Sequence, residues 1–269
     1  MKIVLTGQPG VGKSTVLEKV IQLYEGKKVG VICKEIRDKD GIRVGFMAVN
    51  SRGDSKVFAH TTAISSTFTV GKYFVDIEAI DSFILPEISS AKTPDTLVYI
   101  DEIGRMEAHS ERFLATVDTI FGGDSSVLAT VVRDPKPWSL QYKTNPLILV
   151  LTVTATNREK LPPILQIIFS LDSQFKCLSI DQQKLVFQMA GTYFSLDQFT
   201  HVTKLFTNAI PYVLQGKVRQ NNPNFVVIGN HGEHRVNHQN SNYICDCNLY
   251  QKSGDCSHIQ AVKISILAQ

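Results

Sequence analysis

The stretch that most limits what this chain can fold into is Gly7-Gln8-Pro9-Gly10-Val11-Gly12-Lys13-Ser14, with Thr15 behind it. It fits G-x-x-x-x-G-K-[ST], a pattern that carries a mechanism only when a strand enters it and a helix leaves it. Both signals are present. "KIVLT" (Lys2–Thr6) is a short apolar run that breaks at Gly7. Past the loop, Val16, Leu17, Val20, Ile21 and Tyr24 recur at helical spacing until Gly26 stops them. The glycines let the backbone wrap an anion, so successive N–H groups and the following helix N-terminus face phosphate oxygens. Lys13 then supplies a point charge toward the β- and γ-phosphates, and the Ser14 hydroxyl is placed to ligate Mg²⁺. A glycine-rich turn with a surface lysine shares the letters but not this context.

The remainder of residues 1–170 alternates strand and helix signals. "KVGVICKEI" reads as a strand with Cys33 as a small core residue, and "IRVGFMAVNSRGDSKVFAH" as a hairpin. "SVLATVV" and "LILVLTVT" are continuous apolar strands, and "SERFLATVDTIF" is a helix. Such runs between helices predict an α/β domain with a mostly parallel sheet covered on both faces.

"TLVYIDEIG" adds the second chemical element. Leu97 to Ile100 form a buried strand that ends in Asp101 and Glu102. Two ionised carboxylates are tolerated there only where they emerge beside a cation. Asp101 would then bind Mg²⁺ through water, and Glu102 would orient or deprotonate an attacking water. The plainer alternative is a solvated acidic strand end. A transition state with charge on the γ-phosphoryl oxygens also calls for an arginine. Arg105 and Arg133 are the candidates, each also readable as a structural ion pair. Thr130 reads as a γ-phosphate sensor or a plain strand residue, and Asn157-Arg158 as a border to the base or a helix start. The competing enzyme class is a kinase for a nucleotide or small molecule.

These residues also carry a resemblance. With "KEIRDKDGIRVGF", "VGKYFVD", "IDEIGRME", "SERF" and "TATNREKLP" in order and spacing, the first 165 or so residues resemble the P-loop nucleoside-triphosphatase family of the cancer-related type. The resemblance implies a RecA-like α/β fold and Mg²⁺-dependent hydrolysis of ATP, GTP and other nucleoside triphosphates with little base preference. By the same resemblance Asp101, Glu102, Ile103, Gly104, Arg105 and Met106 flank the nucleotide.

Beyond residue 170 the pattern changes to a helical connector near 181–216, with helices expected at Gln182–Phe194 and Asp197–Leu214. These two helices could pair as a helix-turn-helix, though a packing bridge fits better. Then "CDCNLYQKSGDCSH" presents Cys245-x-Cys247 and, eight residues on, Cys256-x-His258. Three thiolates and an imidazole are the donors and the number that tetrahedral Zn²⁺ takes, and a closed shell of four leaves no position for catalysis. The cluster and its flanks, "YICDC" and "CSHIQAV", resemble the SWIM-type zinc finger over about 225–267. That resemblance implies a small α+β module, a hairpin plus helix, that binds nucleic acid or protein.

Charge does not choose between those partners. Residues 1–170 hold 20 Lys+Arg against 19 Asp+Glu and residues 171–269 hold 8 against 6, so neither half is a polycation. His231, His234, Arg235 and His238 are expected to make a local basic patch. If the tail does the biological work, the nucleotide gates binding and hydrolysis times release. The N-terminus reads as a strand rather than a signal peptide, and no apolar stretch approaches a membrane span. Five cysteines, three of them clustered, point to a reducing cytoplasm rather than a disulfide framework.

Overall fold

The computed structural model describes residues 1–91, 93, 95–145, 147–170, 177–179, 181–183, 185–186, 199–239 and 242–266. The chain divides into two compact units, Met1–Pro162 and Pro163–Gln269. The expected helix at Gln182–Phe194, and with it the proposed helix pairing, lies largely outside the described residues.

In the first unit, strand β1 (Lys2–Thr6) leads through the glycine loop into helix α1 (Lys13–Leu23), which buries Val16, Leu17, Val20 and Ile21. Strands β2 (Lys28–Arg37), β3 (Arg43–Asn50) and β4 (Ser55–His60) follow, then the short β5 (Thr69–Val70) and β6 (Tyr73–Val75). A helical run made of Ile77–Ala79, the wide turn Ile80–Ile84 and Leu85–Ile88 precedes β7 (Leu97–Ile103). Next come a tight turn at Glu107–His109, α2 (Glu111–Gly122), β8 (Ser126–Val131), α3 (Pro137–Thr144) and β9 (Leu149–Thr152). Ser110 caps α2, its hydroxyl accepting from the Phe113 amide at 3.0 Å, so Phe113 and Val117 start the buried face of that helix.

The nine strands form one sheet in the order β5-β6-β4-β3-β2-β7-β8-β1-β9. β2, β7, β8, β1 and β9 run parallel, and their buried residues, among them Val4, Val98, Ile100, Val127 and Ala129, make the core. The expected mostly parallel sheet is in fact mixed. Four pairings are parallel and four antiparallel, because the β3–β4 hairpin joins the sheet through β2 instead of standing apart. The reason is β2 itself: Lys28–Val31 pair with β7, and Val31–Arg37 run on to pair with β3. A connection of a few residues can only fold back antiparallel, since a parallel partner needs a crossover.

Helix α4 (Leu161–Ser170) spans the division between the units. In the second unit α5 (Phe199–Leu214) precedes an antiparallel sheet in the order β10 (Val218–Asn221), β11 (Asn224–Gly229), β12 (Gly232–Gln239), β13 (Asn242–Cys245). Helices α6 (Asn248–Ser253) and α7 (Ser257–Ile266) follow. α7 packs on α5 and on the sheet, burying Ile259, Ala261, Val262 and Ile264. Among the described residues no helix is long and apolar enough to cross a membrane.

Candidate active site and metal centre

Topology assembles the first site. β8 lies between β1 and β7, so the loop leaving β1 and the acids ending β7 flank Thr130 of β8. The loop needs its glycines. Gly12, with φ 106°, turns the chain into α1, and a Cβ at Gly7 would lie 2.6 Å from the Val153 carbonyl oxygen. Ser14 Oγ donates to Asp101 Oδ1 at 3.0 Å, and Thr130 Oγ1 donates to the same oxygen at 2.6 Å. Lys13 Nζ lies 4.0 Å from Glu102 Oε2.

Asp101 is buried, and its Oδ2 has no hydrogen-bond partner. Burial pushes its carboxyl up from the ordinary range, opposed by the Thr130 and Ser14 hydroxyls. Burial also raises Glu102, with Lys13 pulling down and the Asp101 charge pushing up. An orphaned carboxylate oxygen beside a serine hydroxyl is a hard-oxygen set, which fits Mg²⁺ keeping much of its water shell.

These groups open on a cleft of about 780 Å³, and every residue lining it comes from the first unit. Gly7, Gln8, Pro9, Gly10, Gly12, Lys13, Ser14 and Thr15 form one wall, with Asp101, Glu102, Arg105, Met106 and Arg133 across from them. Of the loop and strand-end residues expected to flank the nucleotide, Val11, Ile103 and Gly104 do not line it, and neither do Thr130, Asn157 and Arg158. Ile103 is packed in the core, and Gly104 lies behind the Glu102 carboxyl. Arg105 and Arg133 are both exposed on the cleft. Arg158 rests against the loop instead, its Nη1 donating to the Val11 carbonyl at 3.4 Å. Asn157 closes a turn by accepting from the Thr154 amide at 2.8 Å.

Several lining residues had no signal in the sequence. Cys33, half-buried, packs against the core and also lines the cleft, and burial pushes its thiol well above the usual range. Arg43, Phe46, Phe58 and Val70 reach the cleft from the antiparallel strands β3, β4 and β5. Glu107, in the tight turn after β7, is a buried acid whose pKa is raised to about 8, chiefly by burial and then by the charge of Glu102.

In the second unit Cys245 ends β13, Cys247 caps α6, Cys256 precedes α7 and His258 stands in its first turn. One ligand atom from each lies within 4.8 Å of the others, and His258 Nδ1 is 3.7 Å from Cys245 Sγ. Four converging soft and borderline donors fit tetrahedral Zn²⁺. The His258 ring is sandwiched, with His234 at 4.2 Å and Tyr212 at 5.6 Å between ring centroids. Of the residues expected to make a basic patch, those on β12 are divided between its two faces. β12 has a two-residue period, so His234 and His238 share a face with buried Val236, where they stack on His258 and Tyr243, while Arg235 points the other way.

Comparison with known proteins concerns the first unit. The family model described as NTPase matches residues 2–166. The nucleoside-triphosphatase THEP1 of Thermotoga sp. (strain RQ2) is 32 % identical over 161 residues, covering 60 % of this chain and 91 % of that protein. The protein of the same name from Natranaerobius thermophilus is 37 % identical over 164 residues, again covering 60 % and 91 %. The crystal structure of THEP1 from Aquifex aeolicus superposes with a TM-score of 0.56 at 30 % identity, over 61 % of this chain and 96 % of that one. The solution structure of a human cancer-related nucleoside triphosphatase gives 0.53 at 25 % identity, over 64 % and 97 %. A P-loop fold, the phosphate-loop sequence and a match spanning nearly the whole length of these relatives agree, and the chain belongs to the nucleoside-triphosphatase family of hydrolases.

Proposed function

We propose that the first unit hydrolyses nucleoside 5′-triphosphates to the diphosphate and inorganic phosphate in a Mg²⁺-dependent reaction with broad base preference. The observation that carries this reading is the joining of loop and acids: Ser14 and Thr130 both bond Asp101, with Lys13 beside Glu102. The glycine-loop amides and Lys13 bind the β- and γ-phosphates. Asp101 and Ser14 hold the metal ion, which when bound neutralises charge developing on the phosphate oxygens. Glu102 orients a water whose oxygen bonds to the γ-phosphorus as the β–γ bridging oxygen leaves with the diphosphate, and it takes the water's proton. Arg105, on the cleft, adds positive charge toward the γ-phosphoryl oxygens. These groups all address phosphate and none reads a base, which supports broad preference.

The second unit, on this reading, holds one Zn²⁺ through Cys245, Cys247, Cys256 and His258 and serves as a SWIM-like binding module for nucleic acid or protein. Three reduced thiols in one cluster suit a cytoplasmic setting.

The test compares wild type with Lys13→Ala and Glu102→Gln, following phosphate released and diphosphate formed with several triphosphates. Either variant should lose about a hundredfold or more in turnover. Wild-type turnover in both, or diphosphate formed well in excess of phosphate, overturns the hydrolytic reading.

A further inference from the structure

The cleft extends beyond the groups that the steps above use. In the sheet, β7 with its acids is followed by β2, β3 and β4, on the side away from β1 and its loop. Glu35, Arg43, Phe46, Phe58 and Val70 line the cleft on that side. Phosphate-loop chemistry fixes which end of a triphosphate faces them. Loop amides cradle the α- and β-phosphates, the lysine reaches the β- and γ-phosphates, and the serine hydroxyl meets the metal ion. Ser14 bonds Asp101, so the γ-phosphate is the end that lies beside the acids, and the nucleoside hangs from the other end of the chain. The space past β7 therefore lies beyond the γ-phosphate.

Its chemistry differs from that of the loop. Arg43 is held from three directions. Nη1 donates to Glu35 Oε1 at 2.8 Å, Nε donates to the Tyr73 hydroxyl at 3.1 Å, and the guanidinium carbon lies 5.1 Å from the Phe46 ring centroid. Phe46 in turn meets Tyr73 edge to face at 5.1 Å. Glu35 also accepts from Arg37, so one carboxylate serves two guanidiniums and leaves positive charge in excess. Lys34 lines the same wall but is drawn to Glu18 at 2.6 Å. Arg43 is still 45 % exposed, and a guanidinium already fixed by its neighbours loses little freedom on taking a carboxylate or phosphate. Half-buried Phe46 and Val70, backed by Phe58, supply the apolar surface that suits a flat ring.

We propose that this end of the cleft is a subsite for a second small molecule, an aromatic ring bearing an anionic group, which binds beyond the γ-phosphate while a triphosphate occupies the loop. Arg43 takes the anionic group, and the ring lies against Phe46 and Val70. The proposal rests on the hydrolytic reading for where the γ-phosphate sits. Aromatic carboxylates and nucleoside monophosphates share this chemistry, and the experiment separates them.

The full chain is saturated with Mg²⁺ and a non-hydrolysable triphosphate analogue, then titrated calorimetrically. Benzoate and indole-3-acetate form one arm; AMP, CMP, GMP and UMP form the other. A probe from one arm should bind once per chain without displacing the analogue. Arg43→Gln and Phe46→Leu, the second keeping apolar volume without the ring, should each weaken that probe about tenfold. The kcat and KM for triphosphate hydrolysis should stay within about twofold in both. No binding to the filled chain, or binding only by displacement of the analogue, overturns the proposal, as does wild-type affinity in both variants. A tenfold rise in triphosphate KM in Phe46→Leu also overturns it, because the nucleoside itself then occupies this end. If melting shows that Arg43→Gln does not fold, Phe46→Leu decides. Lys13→Ala separates the two levels. Should it keep full turnover, the hydrolytic reading itself fails. Should it be inactive while no probe binds the filled wild type, only the second subsite fails.

Discussion

Thr130 has no charge, yet it makes a short hydrogen bond to the site's most buried carboxyl. Replacing it with valine keeps the shape and removes one of the two hydroxyls that donate to Asp101 Oδ1. A buried charged acceptor that loses a donor costs about 1–3 kcal/mol. Thr130→Val should therefore lower the melting temperature and reduce kcat/KM about tenfold, read by calorimetry and steady-state assay. Glu107 makes a prediction of opposite sense. Its carboxyl is raised from an ordinary 4.5 to about 8 on folding, so between those values the folded chain holds a proton that the unfolded chain releases. Unfolding free energy must then fall as pH rises through that window, by on the order of a few kcal/mol. Wild-type melting temperature should drop from pH 5 to 8 more steeply than that of Glu107→Gln. The sequence made Thr130 visible as one of two readings, because a hydroxyl inside "VLATVV" stands out. Glu107 closes the quoted stretch "IDEIGRME", but nothing in its local pattern separates it from a surface acid, and only the turn after β7 buries it.

At the scale of strands and helices, what was legible was local. β1, the loop and α1 are contiguous, as are Leu97–Ile100 and the acids that follow, so periodicity and turn chemistry were enough to outline them. Which strand neighbours which is a matter of distant pairing. The hairpin was recognised, but its junction with β2, and hence the mixed sheet and the cleft wall of Arg43, Phe46 and Phe58, was not. Cys33 was read only as a core residue for the same reason: it does pack against the core, but β2 passes from the parallel part of the sheet into the cleft wall at that point. Gly30 shows how tightly the core part is held. It pairs with Tyr99 at φ 151°, and a Cβ there would fall 1.9 Å from the Tyr99 carbonyl oxygen. Gly30→Ala has to separate β2 from β7. We expect a loss of about 3 kcal/mol or more, seen as a lower urea midpoint, with a drop in turnover because Cys33–Glu35 and Asp101 shift together.

The chain divides into two compact units. The first has a nine-stranded sheet and a continuous core. The second is small, and its Cys/His cluster ties β13 to the starts of α6 and α7. A module of that size gains much of its folding free energy from a bound metal. A zinc-selective chelator, with Mg²⁺ held in excess, should therefore remove about one zinc per chain and abolish one of two melting transitions. Phosphate release should continue. Retention of both transitions after complete zinc removal would contradict this. In the first unit, the grip on phosphate and the far side of the cleft belong to different parts of the sheet: parallel strands carry the loop and acids, while an added hairpin carries Arg43, Phe46 and Phe58. A change in the hairpin can thus reshape the rim of the opening while leaving the strands that carry the loop and the acids untouched.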